Sequence, residues 1–300
     1  MNKVLLFLGL WTGVFLQAQE LTPRRWSHLP VGSQFAGVGA VYTEANIYFD
    51  PVLQAEDVKA TFETAVVAYT YSFAWLNRTA RIDVAQAYQQ AEWDGLLEGS
   101  PTRVERKGWS DTNVRLALNI LGAPPLQGKE FLEYHQQHRI QTVVGVGLNV
   151  TAPTGQYDAD KLLNIGANRW VIRPQLGVVH TRNKWSYELT GAIWFYTDND
   201  EFWMESTREQ NPLFALQGHI IYTYRPGVWV AMSAANGQGG ESRVNGVAKE
   251  DAADNFLYAL SAGLPFSRQT GMKVTWIRGE TQTDTGADSD SVMAVLSHMF

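Results

Sequence analysis

The chain has 300 residues, with 30 acidic and 24 basic side chains and a formal net charge of −6. This acidic balance argues against nucleic acid as a partner, because phosphate backbones are bound by clustered lysine and arginine. The absence of cysteine excludes disulfides, a lipid-anchoring cysteine, a thiol nucleophile and a cysteine-based zinc site.

Residues 1–18 have the pattern of a secretory signal peptide. Lys3 provides a short basic start, residues 4–16 are apolar, and Ala18 is a suitable cleavage point. A buried N-terminal helix is the alternative, and the basic start together with the small residue at the exit favours export. Residues 19–33 are then expected to form a short periplasmic segment before the first strand.

The rest of the chain alternates between apolar and polar residues with the two-residue period of a β-strand. In the segment 185–196, for example, the apolar Leu189 lies between the polar Glu188 and Thr190. No later segment approaches ~18 uninterrupted apolar residues, and the mean hydropathy is −0.20. A membrane β-barrel is compatible with such a value, because only alternate residues of its strands face lipid. About twelve strands are predicted, at roughly 34–43, 61–75, 79–93, 109–121, 139–152, 168–181, 185–197, 213–225, 227–236, 254–264, 271–279 and 290–300.

Short and long connections alternate along these strands. The short ones are 76–78, 182–184, 225–226 and 265–270. The long polar ones are 44–60, 94–108, 153–167, 198–212, 237–253 and 280–289. Short periplasmic turns and long outer loops are typical of outer-membrane barrels, and 122–138 is the one long connection on the predicted periplasmic side. The pattern predicts an all-β fold over 34–300, a transmembrane antiparallel up-and-down β-barrel of about twelve strands. A secreted β-sandwich is the alternative.

Aromatic residues cluster beside both kinds of connection, as expected for the two interfaces of a membrane. One group is Trp75, Trp185, Tyr222, Tyr224, Trp229 and Phe300, and the other is Tyr42, Trp93, Trp109, Trp170 and Phe195. The last strand ends on Phe300, which is typical of the closing strand that the barrel assembly machinery recognises. Pro174 interrupts one predicted strand and predicts a bulge or a bend there.

Several segments together resemble a family of outer-membrane barrels, the phenol meta-pathway transporter-like proteins, to which the functional-amyloid exporter barrel is related. The longest is P-T-G-Q-Y-D-A-D-K-L-L-N-I-G-A-N-R-W at 153–170, followed by R-P-Q-L-G at 173–177. Further matching segments are L-G-A-P-P-L at 121–126, F-Y-T-D-N-D-E-F at 195–202, Q-N-P-L at 210–213 and G-G-E-S-R-V-N-G-V at 239–247. The resemblance implies a roughly twelve-stranded barrel, a homotrimer, and a transport role for an aromatic or hydrophobic solute.

The polar phase of the strands is expected to line a narrow wet lumen. Its candidate residues are Arg81, Asp83, Asn113, Arg115, Asn119, Arg169, Arg173, Gln175, Glu188, Gln217, His219 and Lys273. The prominence of arginine predicts selection of small anions or amphipathic acids. The alternative is a structural network in which opposite charges pair and close the lumen.

Catalysis and metal binding have weaker support in the residues. A lipid-hydrolysing barrel needs serine, histidine and an orienting polar group together on one patch, whereas Ser186 and Thr190 face away from His180. His135 and His138 have helical spacing for a metal but no convincingly placed carboxylate. The acidic groups in 198–200 and 284–290 lack EF-hand spacing, and solvated loops are the favoured interpretation. No catalytic residue, metal or cofactor is predicted.

We interpret the chain as an outer-membrane transporter or channel for a small organic solute, surrounded by outer-membrane lipid. The alternative is a structural or adhesive barrel with a closed lumen that acts through its outer loops. A lipid-modifying enzyme is the third possibility and has the least support.

Overall fold

The structure is a computed structural model that describes residues 21–49 and 54–300. The predicted signal peptide, residues 1–18, lies outside the described residues. No helix in the described part of the chain has the length and apolar character needed to cross a membrane.

The described residues form seventeen strands and one helix. These are β1 Gln34–Tyr48, β2 Ala55–Trp75, β3 Arg78–Leu97, β4 Ser100–Trp109, β5 Thr112–Leu121, α1 Gly128–Gln137, β6 Ile140–Ala152, β7 Val171–Arg182, β8 Trp185–Tyr196, β9 Asn199–Phe202, β10 Ser206–Gln210, β11 Leu213–Arg225, β12 Val228–Gly239, β13 Ser242–Val244, β14 Val247–Ala248, β15 Ala253–Pro265, β16 Thr270–Thr281 and β17 Gly286–Met299.

The main sheet closes into a barrel. Its strands follow the order β2-β1-β17-β16-β15-β12-β11-β8-β7-β6-β5-β3-β4, and β2 also pairs with β3. β4 and β5 bond to successive parts of β3, so they occupy one position in the wall. Between these two pairings two residues of β3 face three of its partner, because Tyr88 is opposite Trp109 and Ala85 is opposite Asn113. This bulge leaves twelve antiparallel positions around the barrel, which confirms the predicted fold class.

The predicted strands are present, and several continue beyond their predicted ends. We call the end of the barrel with the short connections the turn end and the opposite end the loop end. At the loop end β3 and β4 continue through most of 94–108 as a hairpin. The connections 198–212 and 237–253 contain β9, β10, β13 and β14, which form a separate four-stranded sheet, the outer sheet. Backbone pairing continues beyond the point where apolar and polar residues stop alternating. The alternation stops there because these segments lie outside the bilayer and no face has to contact lipid.

Pro174 does not introduce the predicted bulge. Its pairing with Leu148 of β6 is in register. On the other side, Ile172 faces Phe195 and Gln175 faces Ala192, so the register is the same before and after the proline. The missing N–H of proline accompanies a local gap in the β7–β8 ladder, without an inserted residue.

The two faces of the wall differ as the alternation predicts. Large apolar side chains are exposed on the outer face, among them Leu189, Leu216, Ile220, Met232 and Leu260. Small or polar side chains are buried on the inner face, among them Ala117, Thr190, Ser233, Ala259 and Thr275. A continuous apolar outer band of this kind faces lipid.

Two aromatic residues depart from the predicted interface belts. Trp93 is only 6% exposed and packs edge-to-face on Phe62 inside the barrel. Trp229 faces inward, where a Cβ added to Gly263 would lie 2.1 Å from its Nε1. The nearness of Trp93 and Trp229 to chain connections predicted correctly how far along the barrel they lie. It did not predict that they face the lumen and not the lipid.

The substitution Leu189→Arg tests the lipid-facing assignment. Leu189 lies mid-strand in β8 and is 47% exposed, so arginine there is expected to cost about 2–4 kcal/mol of folding free energy in a bilayer. The measurement is urea unfolding of the protein folded into lipid vesicles. Leu132→Arg on α1, where the leucine is 60% exposed, is the matched control and is expected to have little effect. Equal costs for both variants would contradict the assignment.

Candidate functional site

The segment before β1 enters the barrel, a placement that the sequence analysis did not predict. We call residues 21–31 the plug. Trp26 and Leu21 are each 1% exposed. Leu21 packs with Ala235 and Ala259 of the inner wall, and Trp26 packs with Ala117 and other inner residues. The plug therefore occupies lumen space that the sequence alone would leave to water.

The indole of Trp26 lies in a slot made by glycines. A Cβ added to Gly177 would lie 1.9 Å from the indole Nε1, and one added to Gly145 would lie 2.3 Å from Cε3. The indole Nε1 donates a 2.8 Å hydrogen bond to Thr190 Oγ1, and the Arg115 guanidinium lies 4.6 Å from the ring centroid. Only glycine, which has no Cβ, leaves room for the indole at these two positions. The inner wall is therefore shaped to hold the tryptophan.

Glu188 anchors the backbone of the plug. The N–H groups of Arg24 and Arg25 donate hydrogen bonds of 3.0 and 3.1 Å to its two carboxylate oxygens. Glu188 is 3% exposed, and hydrogen bonds to a buried carboxylate are among the stronger ones in proteins. This predicted lumen residue therefore contacts the plug.

A cluster of rings holds the plug at the turn end. We call His28, Phe131, Tyr134 and His135 the latch. His28 Nε2 lies 2.7 Å from the Pro124 carbonyl oxygen, and its ring lies 4.9 Å from Phe131 and 5.0 Å from His135. The last three latch residues belong to α1, so the long connection 122–138 covers the plug.

The latch changes the interpretation of the histidine pair considered for metal binding. His135 faces His28, whereas His138 stacks on Tyr134 at 4.2 Å. Within the described residues no group of three metal-ligating side chains occurs.

A network of charged groups crosses the inner wall beside the plug. Asp83 Oδ2 lies 2.9 Å from Arg81 Nε and 3.3 Å from Arg115 Nη1. Arg115 Nε donates a 2.9 Å hydrogen bond to Gln175 Oε1. Arg115 is 1% exposed, and the Asp83 carboxylate partly neutralises its charge within the wall. At this level of the barrel, the contacts are those of the structural network that the sequence left as an alternative.

A cavity of about 380 Å³ lies between the plug and the loop end, and we call it the chamber. Leu21 forms part of its floor, and Asn164 and Ile165 part of its roof. The roof is fixed by Asp111, whose carboxylate accepts hydrogen bonds from the N–H groups of Gly155 and Ala167 at 2.8 and 2.9 Å. The volume lies in the range of small-molecule pockets.

The chamber wall combines aromatic and aliphatic side chains with about as many polar ones. Phe62, Trp93 and Trp194 line it, and the Arg173 guanidinium lies 4.9 Å from the Trp194 ring centroid. Asn149, directly opposite Arg173 in the β6–β7 pair, has a buried Oδ1 with no hydrogen-bond partner. Such a wall suits a flat apolar molecule that carries one hydroxyl or acidic group.

The remaining candidates lie on the inner phase or close to it. Asn113 donates to Thr151 Oγ1 at 3.0 Å and borders the chamber. His219 Nδ1 lies 2.7 Å from Ser233 Oγ. Asn119 is buried, Gln217 and Lys273 are half-buried, and Arg169 is buried before β7 at the loop end. The twelve candidates therefore do not form one site: some belong to the plug contacts, the charged network, the chamber or the loop end, and the others lie elsewhere along the inner wall.

Sequence reasoning missed Trp26 and Asn149 as site residues. A signal for the first was present, because Gly145 and Gly177 face each other across the β6–β7 pair on the inner phase. Facing glycines leave a gap in a wall, and a buried gap of that size is filled by another side chain.

The closed twelve-stranded wall, its apolar outer face and its occupied lumen define an outer-membrane β-barrel with an internal chamber. The model of the family described as "Putative MetA-pathway of phenol degradation" matches residues 37–294. The chain belongs to this family, which confirms the resemblance seen in the sequence.

Solved structures with the same architecture include a COG4313 outer membrane channel from Pseudomonas putida F1. It has 22% sequence identity and a TM-score of 0.78, and the likeness covers 94% of this chain and 100% of that one. A weaker likeness, with 9% identity and a TM-score of 0.48, covers 92% of this chain and 91% of the translocator domain of the autotransporter NalP from Neisseria meningitidis. A search of curated proteins gave no match.

Proposed function

We propose that this protein is an outer-membrane channel that takes up a small aromatic solute and holds it in the chamber. The observation that carries the proposal is the wall of the chamber, which contains three aromatic side chains, the Arg173 guanidinium and the unpartnered amide oxygen of Asn149. The family description points to phenol degradation, and the solved COG4313 protein is a channel. The plug and the roof make the chamber a binding compartment rather than a continuous water-filled pore.

The polar groups determine which aromatic solutes fit. The Asn149 Oδ1 accepts a hydrogen bond from a phenolic hydroxyl, whereas the Arg173 guanidinium attracts a carboxylate and keeps its charge at physiological pH. Asn149 and Arg173 lie on neighbouring strands at one side of the chamber. We therefore infer that the solute carries a single oxygen-bearing group on an aromatic ring.

Two substitutions test this assignment. Arg173→Gln is expected to weaken benzoate binding about tenfold or more, because a charge-assisted contact contributes on the order of 1.5–3 kcal/mol. Asn149→Leu is expected to weaken phenol binding more than benzoate binding. The measurements are calorimetric titration of purified protein and uptake into proteoliposomes. Arg278→Gln, which removes an arginine paired with Asp290 at 2.7 Å near the loop end, is the control.

The adhesive-barrel alternative gives a different result in the same experiment. A barrel that acts only through its loops takes up neither solute, and the two chamber variants then behave like wild type. That outcome would overturn the proposed function.

Two further interactions belong to the proposal. We infer that the assembly machinery recognises the last strand, whose terminal Phe300 is 69% exposed and donates its N–H to the Gln34 carbonyl at 3.0 Å. We also infer the homotrimer implied by the family resemblance. Native mass spectrometry measures the oligomer, and deletion of Phe300 measures the dependence of assembly on that residue.

A further inference from the structure

Two buried arginines meet where the outer sheet joins the barrel. Arg169 precedes β7 and Arg208 lies in β10, and each is only 5% exposed. Arg169 Nη2 bonds to the side chain of Gln210, two residues after Arg208 on the same strand. The two guanidinium groups therefore face the same region. Neither of them borders the chamber described above.

Several donors in this region have no partner. Arg169 Nη1, Arg208 Nε and Arg208 Nη2 are buried without a hydrogen-bond acceptor, and so is the hydroxyl of Tyr196. Tyr196 ends β8, and the Arg169 guanidinium lies 4.5 Å from its ring centroid. Leaving a buried charged donor unsatisfied costs more than leaving a neutral one unsatisfied. Three such N–H groups on two arginines are therefore a strong departure from the usual satisfaction of buried polar groups.

The nearby carboxylates are engaged elsewhere. Asp251 accepts hydrogen bonds from the N–H and the hydroxyl of Ser242 at 2.6 and 2.5 Å. Asp111, as described above, holds the roof of the chamber. Both acids attract Arg169, and Asp251 also attracts Arg208, but their oxygens also accept hydrogen bonds from the groups named above.

The electrostatic environment is unfavourable for two bare cations. Burial and the neighbouring Arg208 guanidinium both lower the pKa of Arg169. Burial also lowers the pKa of Arg208, although the charge of Asp251 acts in the opposite direction. Arginine nevertheless keeps its proton in proteins, so a further negative charge close to both guanidinium groups reduces their mutual repulsion.

We propose that Arg169, Arg208 and the Tyr196 hydroxyl form a binding site for a small monovalent inorganic anion of chloride size. Such an anion accepts hydrogen bonds from several converging donors and offsets the repulsion between the two guanidinium groups. Its binding fastens β10 of the outer sheet to the ends of β7 and β8. This site is separate from the solute chamber and does not depend on the proposed transport function.

Hydrogen exchange on the wild-type protein tests the proposal. Amide exchange in 199–210 is measured in sodium chloride and in sodium gluconate at the same ionic strength, since gluconate is too large for an enclosed site. Exchange is expected to be about tenfold slower when chloride is present at ten times its Kd, because binding stabilises the bound form by mass action. Bromide is expected to replace chloride and to give an anomalous scattering peak between the two arginines.

Variants separate a specific site from general screening by salt. Arg208→Gln is expected to abolish the chloride dependence. Arg243→Gln, in the exposed part of β13 on the same outer sheet, removes the same charge and is expected to retain it. Equal exchange in chloride and gluconate for the wild-type protein would overturn the proposal and would indicate that water satisfies these donors. A chloride effect that survives in Arg208→Gln would also overturn it. Neither result bears on solute uptake through the chamber.

Discussion

Channels carrying Trp26→Ala are expected to conduct ions where the wild-type barrel stays closed. The wild-type indole fills the slot beside Gly177 and bonds to Thr190 at 2.8 Å. Truncation of a buried tryptophan to alanine costs about 3–5 kcal/mol, which is more than about a hundredfold in the equilibrium between docked and undocked plug. A twelve-stranded barrel is wider than the eight-stranded size that side chains fill. Displacement of the plug is therefore expected to leave an open passage. Single-channel recording in planar bilayers measures the effect.

The same opening can be produced from the wall. Gly177→Ala places a methyl group where the indole lies, so it is expected to displace the plug while the tryptophan is intact. Gly191→Ala on the neighbouring strand β8 is the matched control, because an added Cβ there has no neighbour within 4 Å. If Gly177→Ala and Gly191→Ala gave the same closed channel, the plug would not be what blocks the lumen.

Acidification is expected to loosen the plug through the latch. The pKa of His28 is lowered from its ordinary value of 6.5 to about 4, mainly by burial and to a smaller extent by the neighbouring His135. The docked plug therefore keeps His28 neutral, whereas the undocked plug takes up a proton below about pH 6.5. Docking is strongest above that pH and weakens progressively as the pH falls toward about 4. The groups that face His28 are the Pro124 carbonyl, Tyr134 and His135, so no carboxylate in the latch opposes this effect.

Open probability measured from pH 7.5 to pH 4.5 tests this dependence. It is expected to rise as the pH falls, with most of the change below pH 6.5, and to lose much of this pH dependence in His28→Phe, which keeps a ring but cannot be protonated. The rest is expected to come from His135, whose pKa is also lowered by burial. His180→Phe is the control, because this histidine lies on the exposed outer face of β7. An unchanged pH response in His28→Phe would assign the titration to another group.

The wall of the barrel could be predicted from the sequence to a large extent. The alternation around Leu189 and Glu188 assigned both faces of β8 because side chains of a strand point to opposite sides. Trp93 and Trp229 were instead assigned from their nearness to a connection and not from the alternation along the strand, and both were predicted on the wrong face. Beyond the bilayer the alternation carries less information, so the outer sheet with Arg208 was not anticipated.

The state of the lumen was not predictable in the same way. The inner arginines had two possible interpretations, a selective ladder or a structural network, and the structure shows different surroundings at different heights along the barrel. Arg115 belongs to a network with Asp83 and Gln175, whereas Arg173 stacks on Trp194 in the wall of the chamber. Strand phase gives the direction of a side chain but not its partners across the barrel.

The class of protein could be predicted from the residue pattern alone: a closed, antiparallel outer-membrane barrel with an apolar outer face and a polar inner one. These properties depend on local periodicity and on the lengths of connections, which neighbouring residues in the chain specify. The residues that fill the lumen could be identified only from the folded structure. Trp26 and its partner Thr190 are 164 residues apart in sequence, and the glycine slot between them is formed by two other strands. Contacts of that kind have no local pattern, because they arise only when the sheet has closed and brought distant inner faces together.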